Sequence, residues 1–209
     1  MTVSNLSTGM RPGVCLSSSR PTVPFEGQMI YETDTDMVAI WNGTAWRYLA
    51  ATTATSGTVL QVLSSTKTDA QVINPSALVY GDITGLTVSI TPKSASSKVF
   101  VIAALSGMSG VAVNDGFVRL ARDSTALSVG DTAGSRTRAG TTLNKLAGGS
   151  VFNAPLFHLD SPSSTSALVY KIQVTVGGGP LYINRTETDA DGSSYPRTTS
   201  SITVMEIAG

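Results

Sequence analysis

The densest set of reactive side chains in the sequence is His158, Asp160 and Ser161. These are the residue types of a hydrolytic triad, in which an acid orients one imidazole nitrogen and a nucleophile meets the other. On a β-strand, however, His158 and Asp160 share one face and project in parallel rather than converging. His158 is the sole histidine and the chain holds no Gly-x-Ser-x-Gly elbow, so no catalytic residue and no enzymatic activity are expected. Asp160-Ser161-Pro162 reads instead as a turn that ends a strand, Asp160 capping backbone amides and Pro162 blocking continuation.

Glu187, Asp189, Asp191 and Gly192 resemble the start of a calcium loop, with hard oxygen ligands at alternate positions. The full loop needs another acidic position and a distal bidentate Glu, which Ser193-Ser194-Tyr195-Pro196 does not supply. The segment therefore reads as a solvated inter-strand loop, and Asp34 and Asp36 read the same way. Gly177-Gly178-Gly179-Pro180 lacks the Lys-Ser/Thr and following helix of a phosphate loop and reads as a hairpin connection. No metal and no cofactor are expected. Tyr182, Arg185, Asp189, Asp191, Tyr195 and Arg197, together with Asn184, combine the aromatic and polar groups used in carbohydrate or protein recognition; they read either as ordinary outer-loop residues or as a shallow recognition site, and as the latter they are the candidate binding loop. Without a secretory signal, the sequons at Asn5, Asn42 and Asn184 read as chance matches.

Composition limits the partners. Charged residues are 13% with a formal net charge of zero, while Ser and Thr make up roughly a quarter of the 209 residues. Arg119, Arg122, Arg136 and Arg138 are interrupted by apolar residues and by Asp123 and Asp131, so the basic stripe of a nucleic-acid binder is missing. One cysteine, Cys15, excludes an internal disulfide framework. The first residues show neither a cationic nor an apolar signal region, and the longest apolar window, Val99 to Leu105, falls far short of the ~20 residues of a membrane helix. A soluble, cytoplasmically made chain with no membrane insertion is expected.

The elements that would position these groups are strands. Residues 1–23 show no periodicity and are rich in Gly, Pro and Ser, which reads as an extended arm able to lay Leu6, Met10, Val14 and Leu16 along another chain. Two apolar runs, Gln28 to Tyr31 and Met37 to Trp41, flank a polar turn, and Asn42-Gly43 then introduces Trp46 to Leu49. This predicts a three-stranded meander over 24–50, too small to fold alone, whose Ile30, Ile40, Trp41 and Trp46 need a partner surface. Residues 51–85 read as a linker and first strands, and 86–209 as an antiparallel β-sandwich. Within the latter, Leu168, Tyr170, Ile172, Val174 and Val176 alternate with Val169, Lys171, Gln173 and Thr175, the mark of one buried face. Val99, Phe100, Val101 and Ile102 are apolar on both parities, which places that strand either at the centre of the sandwich or against a second subunit. With eight to ten strands expected and no internal repeat of blade length, a sandwich or jelly roll is favoured over a propeller.

At Gly27-Gln28-Met29-Ile30-Tyr31-Glu32-Thr33-Asp34-Thr35 and Trp41-Asn42-Gly43-Thr44-Ala45-Trp46, the meander resembles a module found near the start of bacteriophage tail-fibre, minor tail and head-fibre proteins. From Leu86 to Ile207, the runs at Lys98–Val101, Phe117–Ser124, Phe157–Pro162, Val169–Gln173, Leu181–Arg185 and Ile202–Ile207 are similar in order and spacing to C-terminal sandwich domains of phage fibres. The resemblance implies a virion structural protein and a homotrimeric, jelly-roll-like sandwich. It implies attachment to other phage structural proteins through the arm and the Trp41/Trp46 meander, with the sandwich meeting a host surface receptor. A short tail-fibre or tail-tip protein is the leading expectation, and a head fibre or capsid decoration protein is its rival. A depolymerase would need paired carboxylates in a groove, and the sequence offers no such pair.

Overall fold

The structure, a computed structural model, describes residues 12–49, 55–110, 116–144 and 150–209. The chain divides into two compact units, residues 1–53 and 54–209. Strands from 58–85 therefore belong with the sandwich, and the tail of the arm belongs with the meander.

The first unit is a four-stranded sheet of β1 (Gly13–Cys15), β2 (Met29–Glu32), β3 (Met37–Trp41) and β4 (Trp46–Tyr48), in that order. The three antiparallel strands of the meander form where the sequence predicts them. The arm differs from expectation. Gly13–Cys15 pairs in parallel with β2 of its own chain, and Ser17–Ser19 makes a 3-10 turn. The strand edge that an extended arm would use on a neighbour is thus occupied within the unit. Leu6 and Met10 lie outside the described residues, while the side chains of Val14 and Leu16 are 69% and 48% exposed. Ile30, expected to need a partner surface, is only 2% exposed within its own chain.

The second unit is an all-β antiparallel sandwich. Its strands are β5 (Val59–Lys67), β6 (Gln71–Ile73), β7 (Gly81–Ile90), β8 (Lys98–Ser109), β9 (Gly116–Arg122), β10 (Thr125–Leu127), β11 (Thr141–Leu143), β12 (Phe152–Asp160), β13 (Leu168–Thr175), β14 (Leu181–Ile183) and β15 (Ser200–Ile207). One sheet has the order β10-β9-β13-β7, with β11 also on β9; the other runs β5-β15-β8-β14-β6, with β12 also on β8. Because β13 and β14 lie in different sheets, the Gly177–Pro180 connection is a crossover between layers and not the expected hairpin.

β8 is apolar on both of its faces. It is flanked along its length by β15 and β12, so it is central in the sheet. Val99, Val101, Ala103 and Leu105 point into the sandwich and are buried with Leu120, Tyr170, Ile172 and Val204 in one apolar cluster, whereas Phe100, Ile102 and Ala104 occupy the outer face. Where β8 passes from β15 to β14, a Cβ at Gly107 would lie 2.4 Å from the Tyr182 carbonyl oxygen, so the close approach requires glycine there. Two elements escaped the periodic reading, β1 and β11, each three residues long and too short for a period of two to be seen.

Candidate functional site

The candidate loop runs between β14 and β15, and its root is a buried asparagine. Asn184 takes the left-handed conformation (φ 58°), which a short amide side chain tolerates, and it is fully buried. Its Nδ2 donates to the carbonyls of Lys67 (2.8 Å) and Asp69 (3.0 Å), and its Oδ1 accepts from the Ser200 hydroxyl (2.6 Å). The Ser200 hydroxyl oxygen in turn accepts from the Ser106 amide at 2.9 Å. Both ends of the loop are thereby fixed to β5 and β8. Asn184, which sequence reading grouped with the recognition residues, is a structural node instead.

Beyond that root, Arg185 organises the loop. Its Nε and Nη2 donate to the carbonyls of Thr186 and Glu187, both at 3.0 Å, and its guanidinium lies 5.4 Å from the centroid of the Tyr182 ring. Burial, with the Glu187 carboxylate nearby, pushes the Tyr182 phenol up. Asp189 receives Arg185 at 3.0 Å and Arg197 at 2.6 Å, so its two carboxylate oxygens face two guanidinium groups. Asp189, Asp191, Gly192, Tyr195 and Arg197 line an open depression of about 250 Å³. Arg197 also borders a larger depression of about 490 Å³ whose wall includes Ser106, Phe152, Asn153 and Thr198. Five of the six candidate receptor-facing residues thus meet around Asp189 and the smaller depression, while Tyr182, in β14, lies beside the Arg185 guanidinium.

His158 and Asp160 do share one face of β12, the inner one. Asp160 does not cap a turn. It is the last residue of the strand, 7% exposed, and its Oδ2 accepts from Arg122 Nη1 (2.5 Å) and the Tyr170 hydroxyl (2.6 Å). Asp160 therefore ties β12 in one sheet to β9 and β13 in the other. Burial and that hydrogen bond push the Tyr170 phenol strongly up.

In the first unit the two tryptophans expected to serve in attachment are each other's partners. Trp41 and Trp46 face each other across the hairpin, ring centroids 5.7 Å apart and planes at 61°, an edge-to-face pair. The loop between them is closed by the Asn42 side chain, whose Oδ1 accepts from the amides of Thr44 (3.1 Å) and Ala45 (2.8 Å). Sequence reading missed the centre of this unit, Glu32. It is fully buried, pairs with Arg20 at 2.5 Å and accepts from Tyr48 (2.9 Å) and Thr35 (3.1 Å). The Arg20 hydrogen bond holds the Glu32 carboxyl below its ordinary value, against the opposing effect of burial. Asp34 is not free either: Ser17 donates to it through its amide (2.8 Å) and hydroxyl (2.5 Å), which lowers its pKa, and Tyr31 donates to Asp36. Arg20 and Ser17 both come from the segment read as arm, and an isolated Arg in a loop gives no signal of where it will find its acid.

Fold and site together define a class: an all-β protein with a small N-terminal sheet and a sandwich carrying one organised polar loop. No family model matches the sequence, and no curated protein matches it. Among solved structures, a chain in the structure of infectious bursal disease virus, Gx strain, is similar at 13% identity and a TM-score of 0.40, over 83% of this chain and 42% of that one. A chain in the crystal structure of the VP2 subviral particle of the same virus is similar at 15% identity and a TM-score of 0.34, over 90% of this chain and 50% of that one. This chain spans half or less of the length of each. Likeness at that level carries nothing about function. Among the described residues no helix is long and apolar enough to cross a membrane.

Proposed function

We propose that the chain is a structural protein of a bacteriophage particle: a short, homotrimeric tail-fibre or tail-tip protein, attached through its N-terminal unit, with the sandwich presented to a host receptor. One observation carries the reading. The stretch that resembles the phage module lies within a compact unit of its own, and one face of its sheet holds apolar side chains, Val14, Met29, Tyr31, Val38 and Ile40, that are exposed or half-buried. Such a face on so small a sheet gains stability from a neighbour. Support for a non-catalytic role comes from Asp160, whose carboxylate is engaged by Arg122 and Tyr170 rather than orienting His158. For the sandwich, the Asp189 loop is the surface that would read a receptor.

Quantitative mass spectrometry of purified particles tests this. The chain should be present at the low copy number of a tail appendage, and particles carrying Val38→Asp with Ile40→Asp, both on that face, should lose it while the sandwich stays folded. A high copy number would move the protein to the capsid as a head fibre or decoration protein. Absence from particles would overturn the virion reading.

A further inference from the structure

The two outer faces of the sandwich differ in kind. On the β9-β13-β7 sheet, Arg119 Nε donates to Gln173 (2.9 Å), Gln173 Nε2 donates to Asp82 (2.7 Å), and Lys171 pairs with Asp82 at 2.7 Å. That is a face built for water. On the other sheet, the register places Val62, Met205, Phe100 and Leu159 in one row across four strands, with Ile102 and Phe157 side by side in the next. Val62, Phe157 and Leu159 are 53%, 59% and 49% exposed. The remaining positions in the rows from Phe100 to Ala104 are Ser, Thr, Ala and Pro, and none is charged.

We propose that this outer face of the β5-β15-β8-β12 layer is where copies of this chain pack, three such faces turned toward a common axis. Strand spacing and rise give the uncharged rows a footprint of about 400 Å², enough to form the apolar centre of an interface that takes ~600–800 Å² from each partner. A foreign partner recognised by charge finds nothing to read here. A chain whose formal net charge is zero meets its own copy without net repulsion. The apolar rows lie on the face of the sheet and not along a strand edge, so contact is made face-on, and association of this kind can close. The proposal names the face through which the self-association in the preceding reading would run. It is read on the purified chain alone, so absence from phage particles would leave it standing.

Analytical ultracentrifugation of the full chain at micromolar concentration is the test. Wild type should sediment as an oligomer, Phe157→Asp and Leu159→Asp should weaken association by about tenfold or more, and the loop variant Val79→Asp should not. A monomeric wild type overturns the proposal, as does an oligomer that both outer-face variants retain. Should Phe157→Asp lose its far-UV circular dichroism, oxidative labelling of Met205 in the wild-type chain decides. Protection at high concentration that vanishes on dilution supports the interface, and labelling independent of concentration overturns it.

Discussion

In the N-terminal unit, Ile30 and Ala39 are buried beside a carboxylate, Glu32, that receives Arg20, Tyr48 and Thr35. The sandwich instead closes two sheets over an apolar cluster that includes Ile83, Leu105, Leu120, Ile172 and Val204. A few short strands cannot remove much apolar area from water, so directional polar bonds do what area does in the larger unit. The sandwich buries charge too, as Asp160 with Arg122, and as Glu206. Burial pushes the Glu206 carboxyl up, but hydrogen bonds from Gln61 Nε2 and the Lys93 amide outweigh it and hold the group low. In the sandwich these bonds supplement a core; in the small sheet they replace one.

The largest effect should come from the core itself. Leu120→Ala removes buried volume in the sandwich and should cost about 3–5 kcal/mol. Both tryptophans of the chain are in the first unit, so their fluorescence reports that unit, while far-UV circular dichroism is dominated by the sandwich. In a denaturant titration the dichroism midpoint should fall and the fluorescence midpoint should stay. Equal shifts in both probes would mean that the two units unfold as one and would break the comparison.

Next in size is Asp160→Ala, which leaves the fully buried Tyr170 hydroxyl and the Arg122 guanidinium without their acceptor. The expected cost is about 2–4 kcal/mol, again on the dichroism midpoint alone. Asp160→Asn keeps an acceptor oxygen and should recover part of it. An alanine variant as stable as wild type would show that Asp160 can be replaced without loss and that the sheets are held together by apolar area only.

How legible this was depended on the range of the interaction. Alternation through Leu168 to Val176 marked which face of that strand is buried, and of the two places the two-sided apolar run at Val99 left open, the centre of the sandwich and a second subunit, β8 takes the first within its own chain. Asn42-Gly43 marked a loop that does contain a positive φ, 91° at Gly43. These are local signals. What the sequence hid was long-range pairing: Arg20 reaches Glu32 across 12 positions and Arg122 reaches Asp160 across 38. A carboxylate reads as a turn residue until its partner is placed. The candidate loop was legible as a cluster of residue types, but Asn184 could not be sorted from its neighbours without knowing that its backbone is left-handed and buried.

Acid should act on both units, and one carboxylate isolates the share of the smaller one. The Glu32 and Asp34 carboxyls are both held below their ordinary values of 4.5 and 3.8 by bonds from Arg20 and Ser17. For a group whose pKa is lowered by folding, the stabilisation is complete above the unfolded value and lost as pH falls through the folded one. As pH falls below about 4.5 the fluorescence midpoint should therefore fall, and the dichroism midpoint should respond as well, because Glu206 in the sandwich is also held low. Glu32→Gln should remove most of the pH dependence of the fluorescence midpoint while lowering that midpoint at neutral pH. A pH response confined to the sandwich would contradict the role given to Glu32.

The smallest effect isolates a single backbone angle in the hairpin that carries both tryptophans. Gly43 sits at a φ of 91°, and a Cβ there would meet only side-chain atoms of Glu26, at 3.6 Å or beyond, which is ordinary contact. Space is therefore not the obstacle to Gly43→Ala; the left-handed backbone is, at a cost of about 1–2 kcal/mol. Asn42 would still bind the amides of Thr44 and Ala45, and the Trp41–Trp46 pair would still close the loop. The fluorescence midpoint should thus drop slightly with no change in emission maximum. A large drop with a red-shifted maximum would mean that the ring pair depends on the turn beneath it. In that case the hairpin end, and not the Glu32 clamp, would be the feature that holds the small unit together.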